Sequence, residues 1–262
     1  MKRYFYIFSR ITIQNLVREM EFRSNFFLLL FTQMFWTVLQ LVLVEVAFQF
    51  TGNIVGWTKY EIIALIGFYR IAKGFFDIFF YPNVMYLPDS VNRGELDYVL
   101  TRPINSFFLT VTRRQFLENI SPVLAGLGIL VYAIKASHLS FGPLTFLLLL
   151  SGLISSTIIL FSLLVSFSLI SFFTQRLTAL GSIYDVTSNI LRFPTDIYLR
   201  NNFILEAIFL PLVLVVTFPT KILFHLLPPS YMVLQILGSL LIFTLVYRLW
   251  LFALRHYSSA SS

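Results

Sequence analysis

The chain has 262 residues, of which 58% are hydrophobic and 12% are charged, and its formal net charge is +7. Soluble domains carry about 25% charged residues, so this composition excludes a soluble domain and predicts an all-α polytopic membrane protein. The absence of cysteine excludes disulfides and thiolate metal sites, and the three histidines show no ligand spacing, so we predict no metal site and no catalytic residues.

The first predicted element is an amphipathic helix over residues 3–23, ahead of the first apolar run. At helical spacing, Tyr4, Phe8 and Ile11 share one face, and polar side chains form a stripe on another. This pattern is typical of an interfacial helix that lies in the headgroup plane of a membrane. The alternative is a basic tail without a fixed fold. The polar stripe consists of Arg3, Arg10, Gln14 and Glu21.

Four apolar runs are clearly long enough to cross the hydrocarbon core of a bilayer, which takes about 20 residues. They cover residues 26–49, 115–134, 143–171 and 231–253. A fifth run, residues 58–81, is more polar but still of sufficient length. These five runs are predicted to be transmembrane helices.

The distribution of basic residues predicts the orientation of these helices. Lysines and arginines cluster before the first run, between the second and third, and after the last, whereas loops 50–57 and 135–142 contain only Lys135. Because cytoplasmic loops collect Lys and Arg, both termini are predicted to be cytoplasmic. The number of crossings is then even, and a sixth crossing is expected within residues 172–230.

The second span carries Arg70, Lys73 and Asp77 on one helix face, at positions i, i+3 and i+7. Charges within a bilayer are costly and usually pair with one another or line a cavity. One interpretation is a stripe that faces a transported substrate or a gate. The other is structural: the side chains reach toward the cytoplasmic interface, and Lys73 pairs with Asp77.

Residues 82–106 form a charged loop between the second and third spans. Pro82 and Pro88 are expected to end the preceding helix, since proline lacks a backbone donor and clashes in a helix interior. Asp89 or Ser90 can then cap a short amphipathic helix. Its apolar side is suited to enter a groove of a partner protein; the alternative is a solvated connector. That apolar side consists of Val91, Leu96, Val99 and Leu100.

Three stretches carry a resemblance to a known family. VNRGELDYVLTRPINSFFLTVTRRQF, residues 91–116, resembles the loop after the second span of type-2 ABC transporter permeases. RFPTDIY, residues 192–198, resembles the Phe-Pro turn after the fifth span of that family. The ending RLWLFALRHYSSASS resembles that of one bacterial subgroup. The resemblance covers essentially the whole chain.

In that family the loop contains the coupling helix, which sits in a cleft of the cytosolic ATPase subunit. The resemblance therefore implies a cytosolic ABC ATPase dimer and a second permease copy, or a related permease, as partners. It also implies an integral protein of the bacterial plasma (inner) membrane. Carried over by position, the ATPase-coupling residues are Arg93, Gly94, Glu95, Leu96, Asp97, Arg102 and Pro103.

The fifth span has two possible positions. Hydropathy favours residues 204–226, whereas the resemblance places the span at 177–193 and makes 196–226 an external re-entrant hairpin broken by Pro211 and Pro219. We favour the second position, because its many polar residues suit a translocation path. Together with the second span, it gives the predicted path residues Arg70, Lys73, Asp77, Thr178, Tyr184, Asp185 and Asn189.

The chain is predicted to be the permease subunit of an ATP-driven ABC transporter, and export is the favoured direction of transport. A P-loop requires Gly-Lys before Ser or Thr, and no Gly-Lys pair occurs in the chain, so ATP and Mg²⁺ are expected on the ATPase partner. The alternative is an ion-coupled secondary transporter that uses the charges of the second span. Topology accounts for the basic residues, so no nucleic-acid partner is expected. The sequence leaves open whether the substrate is a drug, a lipid or a peptide.

Overall fold

The computed structural model of the protein describes residues 2–21, 23–174, 179–198 and 203–257. Within these ranges the regular secondary structure is helical throughout. The α-helices are α1 (Lys2–Glu21), α2 (Arg23–Phe50), α3 (Lys59–Phe79), α4 (Tyr81–Asn92), α5 (Asp97–Leu100), α6 (Ser106–Thr112), α7 (Ile120–Ala136), α8 (Pro143–Ser168), α9 (Leu180–Leu191), α10 (Phe203–Val215), α11 (Thr217–Leu223) and α12 (Tyr231–His256). Short 3-10 turns lie at Leu117–Asn119, Leu169–Phe172 and Thr195–Ile197.

Four helical segments in the described part of the chain are long and apolar enough to cross a membrane. They are Phe26–Phe50, Leu117–Ala136, Pro143–Phe172 and Tyr231–His256. They coincide with the four clearest apolar runs of the sequence to within a few residues and agree with the predicted all-α membrane architecture. The positions of the individual spans and the count of six crossings stay predictions.

α3 lies at the centre of the core although it carries five charged residues. It begins after Thr58, whose backbone N–H donates to Glu61 Oε2 (2.7 Å) and so gains a partner at the helix start. From Glu61 to Ile78 most of its side chains are buried, because α3 packs on α2, α4, α7, α8 and α11. Its charged side chains must therefore find partners or a cavity within the protein.

The closest packing of α3 is against α7, and two glycines make it possible. A Cβ atom added at Gly126 would lie 2.7 Å from the Gly67 carbonyl oxygen, and one added at Gly67 would lie 2.9 Å from the Gly126 carbonyl oxygen. The two backbones are therefore in direct contact, as in other membrane helix pairs that meet through small residues.

The expectation that Pro88 ends a helix is wrong. α4 continues through Pro88 to Asn92, with Pro82 in its first turn, where proline is well tolerated. Pro88 has no N–H to donate to the carbonyl oxygen of Val84 four residues earlier. The buried hydroxyl of Ser168 donates to that oxygen instead (2.9 Å). The helix survives the proline because a neighbouring helix supplies the missing hydrogen bond.

α1 covers the segment predicted as an interfacial helix, but its predicted apolar stripe packs on the protein. Tyr4 meets Phe108 edge-on with ring centroids 5.0 Å apart, Phe8 lies 5.7 Å from Phe79, and Ile11 packs against the core. A different set of apolar side chains stays exposed and is available to a membrane surface. This set comprises Phe5, Ile13, Leu16, Val17 and Met20.

The end of α1 is attached to the start of α7 through a carboxyl group. Glu19 Oε1 accepts the backbone N–H of Leu117 (2.7 Å), and Asn15 Nδ2 donates to the Arg113 carbonyl oxygen (3.3 Å). Burial raises the pKa of Glu19 to about 8, and a hydrogen bond with Glu118 acts in the same direction. Near neutral pH the attachment therefore uses a largely protonated Glu19.

Residues 203–223 form a helix that is broken once. The sequence suggested breaks at Pro211 and Pro219. Instead, α10 runs through Pro211, α11 contains Pro219, and the break between the two helices lies at Val216. α10 and α11 pack against α8. The Thr217 hydroxyl accepts the Thr195 backbone N–H (3.0 Å), which joins the start of α11 to the turn after α9.

The Gly67–Gly126 contact yields a test of packing. Gly126→Ala places a methyl group against the α3 backbone, and overpacking of this kind costs about 1–3 kcal/mol of unfolding free energy. We expect a lower thermal unfolding temperature of the detergent-solubilised protein. Gly128→Ala in the same helix is the matched control, because an added Cβ there has nothing within 4 Å. Equal unfolding temperatures for the two variants would contradict the close contact.

Glu19 yields a test of pH dependence. Because the pKa of Glu19 is raised from 4.5 to about 8 in the folded protein, its stabilising contribution is fully present below about pH 4.5 and is lost as the pH rises through about 8. Glu19→Gln stays neutral, so its thermal unfolding temperature should be close to that of the parent at pH 4.5 and exceed it at pH 9. Exposed Glu21→Gln is the control. The raised pKa of Glu19 would be refuted if the difference in unfolding temperature between Glu19→Gln and the parent were the same at both pH values.

Candidate functional site

A cavity of about 740 Å³ opens between α2, α3 and α9. Its wall on the α2 side combines Trp36 and two leucines with two glutamines, while α3 and α9 contribute most of the charged groups. The lining residues are Gln33, Trp36, Leu39, Gln40, Leu43, Tyr69, Arg70, Lys73, Gly74, Asp77, Tyr81, Asn119, Pro122, Tyr184, Asp185, Ser188, Asn189, Arg192 and Phe193.

The structure brings together the path residues predicted from two distant parts of the sequence. Those of the second span lie on α3 and those of the fifth on α9, and both groups line the cavity. Thr178 lies outside the described residues. The predicted residues that line the cavity are Arg70, Lys73, Asp77, Tyr184, Asp185 and Asn189.

Lys73, Asp77 and Tyr184 form a hydrogen-bonded cluster at one end of the cavity. Lys73 Nζ donates to the Asp77 carboxylate and to the Tyr184 hydroxyl, and Tyr184 donates to Asp77 Oδ1 (2.6 Å). The predicted Lys73–Asp77 pair is confirmed. Tyr184 adds a bond from α9 to α3, so the cluster neutralises two charges and holds the two helices together.

Arg70 has a different environment from Lys73. Its Nη2 donates to Gln40 Oε1 (3.1 Å), and its buried Nε has no hydrogen-bond partner among the described residues. Gln40 Nε2 in turn donates to the Arg192 carbonyl oxygen (3.5 Å). Gln40 thus links the Arg70 side chain to the end of α9 and holds the guanidinium at the cavity.

Further contacts align α9 antiparallel to α3. The Tyr69 hydroxyl donates to the Ser188 carbonyl oxygen (3.1 Å), two turns of α3 away from Asp77. Beyond the end of α9, Trp57 Nε1 donates to Asp196 Oδ2 (2.9 Å), and Lys221 forms an ion pair with the same carboxylate (2.9 Å). Asp196 therefore joins the α2–α3 loop, the turn after α9 and α11.

Sequence reasoning missed the contribution of α2 to the cavity. Gln33, Trp36 and Gln40 recur at i, i+3 and i+7 and therefore share one helix face. That spacing was a signal for a polar strip on an otherwise apolar span. The cluster around Asp196 had no comparable signal, because Trp57, Asp196 and Lys221 come from three separate segments.

The predicted ATPase-coupling residues lie in one compact turn after α4. Gly94 adopts a left-handed conformation (φ 69°), which glycine favours, and the Tyr86 hydroxyl donates to Glu95 Oε2 (2.7 Å). The Pro103 carbonyl oxygen accepts Arg3 Nη2 of α1 (3.1 Å). Burial and the neighbouring Asp97 raise the pKa of Tyr257 to about 12, so the end of α12 also meets this turn.

Three of the four residues of the apolar side predicted to dock into a partner are turned inward. Leu96 is 0% exposed, and Val91 and Val99 are also buried, because the chain reverses at Gly94 and packs this side on its own core. Leu96 therefore does not provide a docking surface. The exposed residues of the turn are Arg93, Tyr98, Leu100, Thr101, Arg102 and Pro103.

Comparisons with known proteins agree with this architecture. Residues 34–261 match the model of the family described as ABC-2 family transporter protein. No curated protein and no solved structure shows a significant match. The family match covers most of the 262 residues, including all of the cavity lining except Gln33, the predicted coupling turn, three of the four apolar helices and most of the first. The chain therefore belongs to the ABC-2 transporter family and is a membrane permease component of an ABC transporter.

Proposed function

We propose that the chain is the permease subunit of an ATP-driven exporter and that the α2–α3–α9 cavity is part of its translocation path. The observation that carries this proposal is the continuity of α3 with the coupling turn. α3 ends at Phe79 and α4 begins at Tyr81, so one nearly continuous segment joins the Lys73–Asp77 face to the turn at Gly94. A displacement of that turn has a direct mechanical route to the cavity.

ATP and Mg²⁺ belong to the partner in this proposal. A cytosolic ABC ATPase dimer contacts the exposed residues of the coupling turn and, beside them, the start of α1, which Arg3 attaches to Pro103. The permease itself acts on no nucleotide and is not an enzyme. Closure of the ATPase dimer moves the turn and changes the access of the cavity between the two sides of the membrane.

The subunit works as a pair in the plasma membrane of a bacterium, with both termini in the cytoplasm. The partner is a second copy or a related permease. α2 supports this assignment, because it lines the cavity while most of its apolar side chains remain exposed. A second permease facing α2 completes the wall of the path.

The fifth of six crossings runs along α9, and α10 and α11 return as a re-entrant hairpin on the external side. The antiparallel alignment of α9 and α3 supports this arrangement, as does the contact of Asp196 with Trp57 of the predicted external loop. α9 has 12 residues and a length of about 18 Å, so the crossing also uses residues that flank this helix.

Coupling to the ATPase can be tested at Tyr98, which is 72% exposed. An aromatic anchor at an interface contributes about 2 kcal/mol or more, so Tyr98→Asp should weaken association with the ATPase roughly 30-fold. The measurements are co-purification of the ATPase and ATP hydrolysis by the reconstituted complex. Tyr198→Asp, at an exposed site on the proposed external side, is the matched control. Parent-level co-purification of Tyr98→Asp would contradict the docking role of the turn.

The topology can be tested with single cysteines in this cysteine-free chain. If the fifth crossing follows α9, Tyr198→Cys should react with an impermeant thiol reagent added outside intact cells. If residues 204–226 form the crossing instead, Tyr198 is cytoplasmic and stays unlabelled until the membrane is opened. Thr101→Cys, in the exposed coupling turn, serves as the cytoplasmic reference. An unlabelled Tyr198→Cys beside a correctly inserted control rejects the α9 crossing.

A further inference from the structure

The cavity contains a cation whose charge no acidic group of the described residues balances. The ion pairs found in those residues join Lys59 to Glu45, Lys73 to Asp77 and Lys221 to Asp196. Arg70 takes part in none of them. Its guanidinium is partly buried, its Nη2 meets the neutral Gln40, and its Nε lacks a partner.

The charges of the cavity are separated along its length. On α3, Asp77 follows Arg70 by seven residues, and on the α9 side Asp185 precedes Arg192 by seven residues. Seven residues span about 10 Å along a helix axis. Because α3 and α9 are antiparallel, Arg70 and Arg192 share one end of the cavity, while Asp77 and Asp185 share the other. The acidic end is partly neutralised, since Lys73 binds Asp77. The arginine end carries two positive charges.

An arginine withdrawn from water without a counter-charge is costly, and a bound anion removes that cost. The planar guanidinium fits a carboxylate or phosphate through two parallel hydrogen bonds. The Nε–H of Arg70 is buried without a partner, so a ligand in the cavity reaches the guanidinium through its Nη–H groups. Gln40 accepts a hydrogen bond from Nη2, so the guanidinium is oriented before a ligand arrives.

The remaining wall determines the rest of the ligand. Trp36, Leu39 and Leu43 on α2, with Phe193, give the cavity an apolar side next to the arginines. The cavity volume of about 740 Å³ lies within the usual range for small-molecule sites, about 300–1,000 Å³. A molecule that satisfies both sides has an anionic head and an apolar body.

We propose that the cavity binds an amphipathic anion, with its phosphate or carboxylate head on Arg70 and Arg192 and its apolar chain against Trp36. This inference rests on the proposed function and adds the chemical class of the substrate. The anion comes either from a lipid of the bilayer or from a separate amphiphile, and the two sources share the same recognition chemistry.

The test is a titration of the full chain in phosphatidylcholine nanodiscs, followed by tryptophan fluorescence. Trp36 is 55% exposed, whereas Trp57 and Trp250 are buried, so Trp36 is the residue best placed to respond to a ligand. Decyl phosphate should give a saturable change, and decyltrimethylammonium should not compete with it. Arg70→Gln and Arg192→Gln should each weaken decyl phosphate binding about tenfold or more, since each removes hydrogen bonds to a charged group.

Further variants separate charge from geometry. Arg70→Lys keeps the charge but loses the paired donors, so its affinity should fall between those of the parent and Arg70→Gln. Lys135→Gln, an exposed basic residue outside the cavity, should bind decyl phosphate as the parent does. Arg192 is exposed, so its replacement keeps the test valid even where Arg70→Gln fails to fold.

Nanodiscs that contain phosphatidylglycerol distinguish the two sources of the anion. If a bilayer lipid is the ligand, phosphatidylglycerol should compete with decyl phosphate; if a separate amphiphile is the ligand, the affinity should not change. Equal binding of decyl phosphate by the parent and both arginine variants overturns the inference. Such a result is compatible with a parent chain that co-purifies with its ATPase, whereas failure of the proposed function would appear as a parent chain that does not co-purify with an ATPase at all.

Discussion

The burial of a charged helix at the centre of the molecule is the constraint on which the other contacts depend. α3 contacts α2, α4, α7, α8 and α11, so its polar groups have no free route to water on most sides. Lys73 and Asp77 neutralise each other and recruit Tyr184 from α9. Breaking such a group by removing one partner leaves a buried charge uncompensated, which is strongly destabilising. The same bonds that stabilise α3 therefore determine where α9 lies and where the cavity opens.

On the neighbouring face that meets α7, α3 is held by backbone packing. The Gly67–Gly126 contact lets the α3 and α7 backbones meet, so close packing rather than hydrogen bonding stabilises that interface. α3 is thus held by packing on one face and by charged groups on the adjacent face. This division is suited to a transporter, since a packed face can stay fixed while a hydrated, hydrogen-bonded face changes its partners.

The sequence predicted the four apolar helices and the shared face of Arg70, Lys73 and Asp77, because length and helical spacing are local properties. It also identified Tyr184, Asp185 and Asn189 as a polar set, although only a resemblance placed them in a span. Pro88 and Leu96 were interpreted wrongly for a common reason. The proline is tolerated because Ser168, 80 positions away, donates to Val84, and the leucine is buried because the chain folds back at Gly94. Ser168 lies far outside a local sequence window, and the core on which Leu96 packs is likewise formed only by the tertiary fold.

The gap that Pro88 leaves in α4 also has a mechanical meaning. A helix resists bending through its backbone hydrogen bonds, and the position at which one of them is missing bends more easily than the rest. Here the Ser168 hydroxyl spans the gap from the end of α8. A force applied at the Gly94 turn therefore bends α4 mainly at Pro88. The hydrogen bond from Ser168 transmits part of that force to α8. The length of α4 between Pro88 and the turn is short, so small displacements at the turn give large changes in angle at Pro88.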